Sequence, residues 1–330
     1  MSKKDNGSQC VLRKTSVGGQ ALLEGIMMQG PRGAAMSVRL PDGTVETEPL
    51  EFKRLKDRFK PAGFPLIRGV VNFIETLLFG YKCMNKSAEK AGIDDSVPKE
   101  DMSKLDRWLS DHFGPKMMAV ITGIAGVLGI LLAFFLFFYL PTISIDLLDK
   151  HLFASRLADF HAPLEGVIRI CIFVLYLFLV SRIPDIKRVF MYHGAEHKSI
   201  FCYEKGLELT VENVRMQKRF HPRCGTSFIF VMLLLGILIS SAITLIFDGI
   251  DENRILWMAI KLLIMPFVIS LGYEFIKYAG RHDNFLIKAL SAPGLLMQRL
   301  TTAEPTDDII EVGIDALKAV ITDNPEDDTI

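Results

Sequence analysis

The hydrophobic residues of this chain are concentrated in four long stretches, which are residues 117–140, 164–183, 228–247 and 255–273. The first and third stretches contain no charged side chain, whereas the second carries Arg169 and the fourth carries Lys261. About 20 apolar residues are needed to cross the hydrocarbon core of a bilayer. A long basic side chain near the end of a span can reach the headgroups. The pattern therefore predicts four membrane-spanning helices.

The pattern before the first predicted span is that of a small α+β unit within residues 1–115. Apolar and polar residues alternate on both sides of Pro41-Asp42-Gly43, which predicts a β-hairpin. The apolar core of "VGGQALLEGIMMQGPRG", residues 21–28, is too short to span a membrane and is interpreted as a buried helical turn. Residues 70–81 have mostly helical spacing, and they predict an amphipathic helix on the membrane surface or against the spans.

Residues 184–227 form a polar connection within the membrane region 116–275. Pro184 ends or kinks the second span, and Asp185 is the predicted N-cap of a helix that continues to about Glu204. A second, shorter helix is predicted after Thr210. Residues 276–330 predict amphipathic helices, the first of them broken at Pro293-Gly294. The expected fold is a mainly α membrane protein with a four-span helical bundle and a small N-terminal α+β unit.

The basic residues are distributed asymmetrically between the two sides of the predicted spans. Residues 1–116 contain 19 Lys and Arg, and residues 181–227 contain nine, but residues 141–163 contain two and residues 248–254 contain one. Cytoplasmic loops carry an excess of basic residues. The distribution predicts a plasma or inner membrane protein with both termini and the connection 184–227 in the cytoplasm.

The overall composition is half apolar with a formal net charge of zero, so it gives no sign of nucleic-acid binding. A local basic run before the third span consists of Arg215, Lys218, Arg219 and Arg223. The bias of basic residues towards the cytoplasmic side accounts for this run. A lipid headgroup or a phosphorylated molecule is the alternative partner for it.

The stretch "MYHGAEHKSIFCYE" in the connection contains candidate metal ligands. His193, Glu196 and His197 are spaced so that all three side chains project from one face of a helix. Two imidazoles four residues apart can bind one zinc ion, and a neighbouring carboxylate can accept a proton from a water molecule that the metal polarises. The alternative is a group of polar side chains that face solvent or headgroups at the end of a span.

A second stretch of the same connection, "FHPRCGTS", offers further ligands. His221 and Cys224 are three residues apart, and together with the first pair they would make a four-ligand site. Four bound ligands are typical of a structural zinc, whereas three ligands with Glu196 unbound would leave a catalytic position open. Cys224 begins a helix beside Arg223, which should lower the pKa of its thiol and would suit a ligand or a nucleophile. A small apolar packing residue at a helix start is the alternative. Glu24 and Glu274 are additional carboxylates that could reach the site.

Several motifs together resemble the bacterial YqhQ family, from about Val17 to Val320. They are "GGQALLEGIMMQGP", "RGVVNFIETLLFG", "YHGAEHKSIFCYE", "LTVENVR", "HPRCGTSF", "GYEFIKYAGR" and "PGLLMQRLTTAEPTDDIIEVGIDAL". The resemblance implies an integral membrane protein that is thought to depend on a metal, and it implies no substrate. The positions of this chain that match are His193, Glu196, His197, His221, Arg223 and Cys224, with Glu24 and Glu274 as companions.

The expected function is that of a membrane-embedded, metal-dependent hydrolase with zinc as cofactor and Glu196 as general base. Its substrate would be a lipid headgroup, a peptide or a small phosphorylated molecule reached from the cytoplasmic face. A non-catalytic scaffold or assembly factor, fastened by a structural metal or polar cluster, is the alternative. Transport is disfavoured because the first and third predicted spans carry no charge, whereas transporters place polar groups at the middle of the bilayer.

Overall fold

The structure is a computed structural model that describes most of the chain. The described residues are 14–52, 55, 59–93, 115–153, 160–247, 249–250, 253–282, 284–322, 324 and 328. The charged segment 94–114 lies outside them. Within the described residues the chain is mainly helical, with one four-stranded sheet near its N-terminus, which confirms the predicted fold class.

The sheet is an antiparallel meander in the order β1-β2-β3-β4. Its strands are β1 (Gly18–Leu22), β2 (Gly25–Gly30), β3 (Gly33–Arg39) and β4 (Val45–Leu50). The predicted hairpin around Gly43 is confirmed, with Gly43 at a φ of +86°. The helical interpretation of residues 21–28 is wrong, because they form the β1–β2 hairpin. Two successive turn residues between Leu22 and Gly25 allow the strands to pair, and one of them, Glu24, has a positive φ of 51°.

The two faces of the sheet are both covered by helices. Side chains alternate across a strand, so Ile26 and Met28 enter one core while Met27 enters the other. Helix α1 (Ile67–Lys90), predicted from its spacing, covers the second face through Phe79 and Cys83. The first face packs against two later helices, from the connection and the C-terminus, and the three chain regions thus share one core.

Four helices are long and apolar enough to cross a membrane, and they make the chain a multi-pass membrane protein by length and composition. Their apolar segments are Gly123–His151, His161–Val180, Phe228–Ile246 and Arg254–Ala279. The corresponding elements are α2 (Pro115–Phe134) with α3 (Leu140–Leu148), α4 (His161–Val180), α7 (Gly225–Ile246) and α8 (Arg254–Arg281).

The first span continues beyond its predicted end at residue 140. A π-helical turn over Phe135–Tyr139 precedes Pro141, and α3 follows it. Proline has no N–H and its ring collides with a preceding carbonyl, so the widened turn lets the helix continue. The longer helix includes Asp146, which lies beyond the uncharged stretch 117–140 of the prediction.

Arg169 and Lys261 do not reach towards headgroups, which corrects the predicted snorkelling. Lys261 is 7% exposed, and its Nζ lies 2.6 Å from Glu165 Oε1. Arg169 Nη2 lies 2.5 Å from the same oxygen. Trp257 donates its indole N–H to the other oxygen of Glu165 at 3.3 Å. Both basic side chains therefore contact the same carboxylate, Arg169 within its own helix and Lys261 from a neighbouring helix of the bundle.

The connection and the C-terminal region contain four further helices. They are α5 (Pro184–Glu204), α6 (Val211–Arg215), α9 (Phe285–Thr301) and α10 (Asp307–Lys318). Thr210 caps α6 as predicted, but the N-cap of α5 is Ile183 and Pro184 occupies the first helical position, so the prediction for Asp185 is wrong. The predicted break at Pro293-Gly294 is also wrong, because α9 continues through Pro293.

Candidate metal centre

Helix α5 places three of the predicted residues side by side. It begins with Pro184 and ends before Gly206, whose φ of +67° suits the residue after a helix. The rings of His193 and His197 are 4.4 Å apart between centroids, as expected for positions four residues apart on one helical face. Glu196 and His197 are buried, whereas His193 is partly buried.

Cys224, the N-cap residue of α7, completes a group of three potential ligands. His193 Nε2 lies 3.2 Å from Cys224 Sγ. One ligand atom from each of His193, His197 and Cys224 lies within 4.8 Å of the other two. Helix α7 continues into the third span, so this group lies just outside the membrane-spanning segment.

Both imidazoles are held by backbone carbonyls through the ring nitrogen that faces away from Cys224. His193 Nδ1 lies 2.8 Å from the carbonyl oxygen of Thr301, and His197 Nδ1 lies 2.5 Å from that of Arg219. A carbonyl accepts only from an N–H, so each contact places the proton on Nδ1 and leaves the Nε2 lone pair available. Metal-bound histidines commonly make this second contact, which fixes the tautomer and the orientation of the ring.

The surroundings of Cys224 favour its thiolate. Burial opposes ionisation, but the contact with His197, in the protonated form of that ring, and a hydrogen bond donated by Thr226 Oγ1 at 3.3 Å outweigh it and lower the pKa of the thiol. The position at the N-terminus of a long helix acts in the same direction. A thiolate beside two neutral imidazoles is a donor set that transition metals prefer.

Glu196 is a buried carboxylic acid next to the ligand group. Burial, opposed by the nearby His193, raises its pKa to about 7. Its Oε2 atom has no hydrogen-bond partner among the described residues. Gly19 of β1 lies directly against it, and a Cβ atom at that position would be 3.1 Å from the carboxylate. Since burying a polar group without a partner is unfavourable, a compensating role for this carboxylate is expected.

A cavity of about 550 Å³ joins these groups, and we call it the site cavity. Its size falls in the range of small-molecule binding sites. Its polar lining comes from α5, from the segment before α7 and from β1, while α1 contributes Thr76 and Leu77. The candidate ligands and the candidate base that line it are His193, Glu196, His197, His221 and Cys224.

His221 lines the same cavity but lies outside the group of three. Its ring centroid is 5.6 Å from that of His197. Its Nε2 lies 3.4 Å from Glu204, and its Nδ1 accepts the backbone N–H of Arg223 at 3.4 Å. Burial lowers the pKa of His221 to about 4. The partners of its two ring nitrogens are Glu204 and the Arg223 backbone and not Cys224, which separates His221 from His193.

The remaining predicted residues are engaged in ion pairs. Arg223 binds Glu204, and it donates to the carbonyl of Thr15 at 2.8 Å. Glu24 binds Arg188 and accepts from the hydroxyl of Tyr192 at 3.0 Å.

Glu274 is also paired and is not part of the ligand group. It accepts two hydrogen bonds from Arg68, one of them at 2.5 Å, and so joins α8 to α1. Neither Glu24 nor Glu274 lines the site cavity.

Several residues that shape the site were not identified from the sequence. Glu204 has a sequence signal, because it follows His197 by seven residues and therefore lies on the same helical face. Glu165 lies within the second predicted span, where an ionisable residue is a marker of a specific partner. Gly19 and Thr226 have no such signal, because only the folded structure brings them to Glu196 and Cys224.

The three donors fit a transition-metal ion such as zinc in their chemistry and spacing. Zinc bonds of about 2.0–2.3 Å in a tetrahedral site put neighbouring ligand atoms roughly 3.5 Å apart. The observed separations, from 3.2 Å to no more than 4.8 Å, are close to that value. Two histidines and one cysteine also leave a fourth tetrahedral position unfilled, which is typical of catalytic zinc sites.

Comparisons with known proteins agree with the resemblance seen in the sequence. Residues 64–323 match the family model described as "Protein of unknown function (DUF1385)". The chain is 32% identical over 309 residues to "Uncharacterized protein YqhQ" of Bacillus subtilis (strain 168), and the alignment covers 92% of each chain. No solved structure matches. The three ligand candidates and Glu196 lie within the family match, whereas Gly19 and Glu24 precede it.

Proposed function

The chain belongs to the DUF1385 family of proteins of unknown function, and we propose that it is a membrane-embedded, metal-dependent hydrolase. One observation carries the proposal. The Nε2 atoms of His193 and His197 converge on Cys224, while the buried carboxylate of Glu196 lines the same cavity without an Arg or Lys partner among the described residues. Converging imidazoles and a carboxylate free to accept a proton are what hydrolysis requires.

Each residue has a distinct role in this proposal. His193, His197 and Cys224 would hold the ion, which supplies a Lewis acid that polarises the bound substrate or water. Glu196 accepts a proton from the attacking water and returns it to the leaving group, so that hydrolysis consumes one water and needs no other co-reactant. A pKa of about 7 suits this exchange, because the carboxylate gains and loses a proton near neutral pH. Gly19 holds the carboxylate in place by its close approach.

The proposed location of the site is the cytoplasmic face of the plasma or inner membrane. Cys224 is four residues before the apolar segment Phe228–Ile246, and the connection that contains the site has nine basic residues between positions 181 and 227. Basic residues are enriched on the cytoplasmic side. Both termini are on that side in this proposal, because an even number of spans returns the chain to the side where it began.

Metal analysis of the purified protein tests the proposal. We expect about one transition-metal ion per chain in the native protein and a loss of at least tenfold in His193→Ala and Cys224→Ala, because each variant removes a ligand. Glu196→Gln should keep the metal, since the residue is a base and not a ligand. His282→Ala is the matched control, because this histidine is exposed and contacts its own helix.

The outcomes separate the parts of the proposal. Unchanged metal content in both ligand variants would refute the metal centre. Loss in His193→Ala alone would remove Cys224 from the ligand set. Loss in Glu196→Gln would make Glu196 a ligand and leave the site without its proposed base.

A structural role for the metal is the second candidate, and the network beside the site favours it. Glu204 binds Arg223 and the backbone N–H of Thr15, and Gln298 exchanges two hydrogen bonds with the backbone of His221. These contacts join the N-terminal region, the connection and α9 around the ligand group. In a scaffold, removal of the metal with a chelator would unfold this region, and Glu196→Gln would have no effect on any activity of the protein.

A further inference from the structure

A second cavity, of about 310 Å³, lies inside the membrane-spanning region, and we call it the chain cavity. Helices α7 and α8 form its two long walls, and α1, α4 and the first span close it. Its lining residues are mostly aromatic and aliphatic, among them Phe73, Phe137, Phe173, Met232, Gly236 and Ile264. Its only charged lining residues in the described part of the chain are Arg169 and Lys261, whose cationic groups bind Glu165.

The chain cavity extends through about half of the bilayer's apolar thickness. Along α7 it is lined from Ile229 to Ser240, which corresponds to about 16 Å at 1.5 Å per residue. The hydrocarbon core of a bilayer is about 30 Å thick. One leaflet of acyl chains therefore has about the same depth as this cavity.

The chain cavity adjoins the site cavity at the end where α7 begins. Ile229 lines both cavities. On α1, Phe73 lines the chain cavity, and Thr76 and Leu77, one helical turn later, line the site cavity. The two cavities are therefore adjacent, and the candidate ligands His193 and Cys224 line one of them while apolar side chains line the other.

An exposed apolar strip on α1 lies next to this junction. Leu77 is 56% exposed and Leu78 is 66% exposed, and Ile74 is exposed one turn before them. Large apolar side chains in contact with water are unfavourable, so this strip fits a position among lipids at the membrane surface. Lipids would then be the molecules closest to the opening of the site cavity.

We propose that the substrate is a membrane amphiphile with an acyl chain, whose carboxylic ester is hydrolysed at the candidate metal centre. This inference rests on the proposed function. The acyl chain occupies the chain cavity, and the ester carbonyl lies among His193, His197 and Cys224 at headgroup level. The water oxygen forms a bond to the acyl carbon, the ester C–O bond breaks, and Glu196 transfers the proton to the leaving alcohol. The products are a carboxylic acid, which keeps the second proton of the water, and an alcohol.

Photo-crosslinking of the full chain in detergent tests the binding step. The probe is lysophosphatidylglycerol with a diazirine in a palmitoyl chain, and glycerol 3-phosphate is the competitor that represents the headgroup alone. We expect cross-links to the segments of α7 and α8 that line the chain cavity, unaffected by millimolar glycerol 3-phosphate. Competition by glycerol 3-phosphate would show recognition of a free phosphate and would overturn the proposal.

Two glycine variants separate the cavity from ordinary lipid contact. Gly236 lines the chain cavity, and a Cβ atom there would have no other heavy atom within 4 Å, so Gly236→Phe should fill the cavity without a clash. We expect it to reduce the cavity cross-links at least fivefold. Gly129→Phe is the matched control, because Gly129 also has open space around its Cβ position but does not line the cavity. Equal labelling in the two variants would refute the proposal.

Metal content, measured in the same samples, distinguishes this inference from the proposed function. Gly236→Phe should retain its metal, and Cys224→Ala should retain its cavity cross-links while it loses metal. Absence of metal with normal cross-links would refute the proposed function alone. If Gly236→Phe does not fold, Ser240→Leu fills the same cavity from the next turn of α7, and unchanged labelling in that variant would likewise overturn the inference.

Zinc-dependent hydrolysis completes the test, with 4-nitrophenyl palmitate and 4-nitrophenyl acetate as substrates. We expect Gly236→Phe to slow palmitate release at least fivefold more than acetate release, because only the long chain needs the chain cavity. An equal effect on both esters would contradict the placement of the acyl chain.

Discussion

The buried ionisable side chains around Glu165 and those around Glu196 differ in their hydrogen-bond partners. In the spans, Glu165 contacts Lys261, Arg169 and Trp257, and its two oxygens are directed at protein partners. At the candidate metal centre, Glu196 Oε2 has no partner among the described residues, and both histidines line a cavity. Both oxygens of Glu165 therefore have protein partners, whereas one oxygen of Glu196 has none among the described residues and lies beside a cavity.

The comparison shows that burial of charge alone does not identify a site. Ionisable residues in a span are often functional, yet the Glu165 group holds helices together. The more informative signs at the candidate metal centre are fixed tautomers, a thiol with a lowered pKa, and a carboxylate with one oxygen that has no partner among the described residues. All of them share one cavity. Direct replacement of residues in each group can test whether the two roles are truly different.

The largest effect is expected from Glu165→Ala. This change leaves Lys261 and Arg169 close together in apolar surroundings, and the loss of one partner from a buried ion pair costs about 3–5 kcal/mol. Equilibrium unfolding in detergent micelles should show this loss of stability, while the folded protein keeps its metal. Glu311→Ala is the control, because Glu311 is 55% exposed in its pair with Arg39 and should cost less than about 1 kcal/mol. Similar costs for both variants would contradict a structural role for the Glu165 group.

Glu196→Gln in metal-free protein is expected to have a smaller effect on folding stability, and to raise it near neutral pH instead of lowering it. Between pH 4.5 and about 7, folded Glu196 keeps its proton while the unfolded chain releases it, so folding stability falls as pH rises through this window. The shift corresponds to about 3 kcal/mol, and the variant should not show this fall. Unfolding measured from pH 5 to pH 8 tests the difference, with the exposed Glu304→Gln as control. Parallel pH profiles for Glu196→Gln and the native protein would place Glu196 in contact with solvent.

The smallest effect is expected from Thr226→Val, which removes the hydroxyl that donates to Cys224 Sγ. Loss of a contact that supports a metal ligand typically weakens metal affinity about tenfold. Competition with a chelator of known zinc affinity measures the change. Thr244→Val is the matched control. Its hydroxyl donates to the backbone carbonyl of Ser241, which lies in the same helix but more than two turns from Cys224. Equal affinities in both variants would separate Thr226 from the metal centre.

Much of the fold could be predicted because it depends on local patterns. The four spans follow from long apolar stretches, the β3–β4 hairpin from its turn residues, and α6 from the cap at Thr210. The helical interpretation of residues 21–28 failed because a short apolar run does not distinguish a strand from a helix. The pairing of that run with β3 is a tertiary choice that periodicity does not contain.

The site could be predicted only as far as spacing along a helix permits. His193, Glu196 and His197 share a face because they are three and four residues apart. The approach of Cys224 and the separation of His221 depend on how the segment before α7 folds, and the pairing of His221 with Glu204 is not visible in the sequence. Glu24 and Glu274 were plausible carboxylates until the structure placed an arginine beside each of them.

The carbonyl of Thr301, which orients His193, has a consequence for biogenesis. Ribosomes deliver residues in order, so the ligands at positions 193, 197 and 224 emerge well before residue 301 and before the fourth span. Gly19, by contrast, is synthesised before Glu196, the residue against which it packs. The contact that orients His193 therefore forms only after the fourth span has been synthesised, later than the meeting of the three ligand candidates requires.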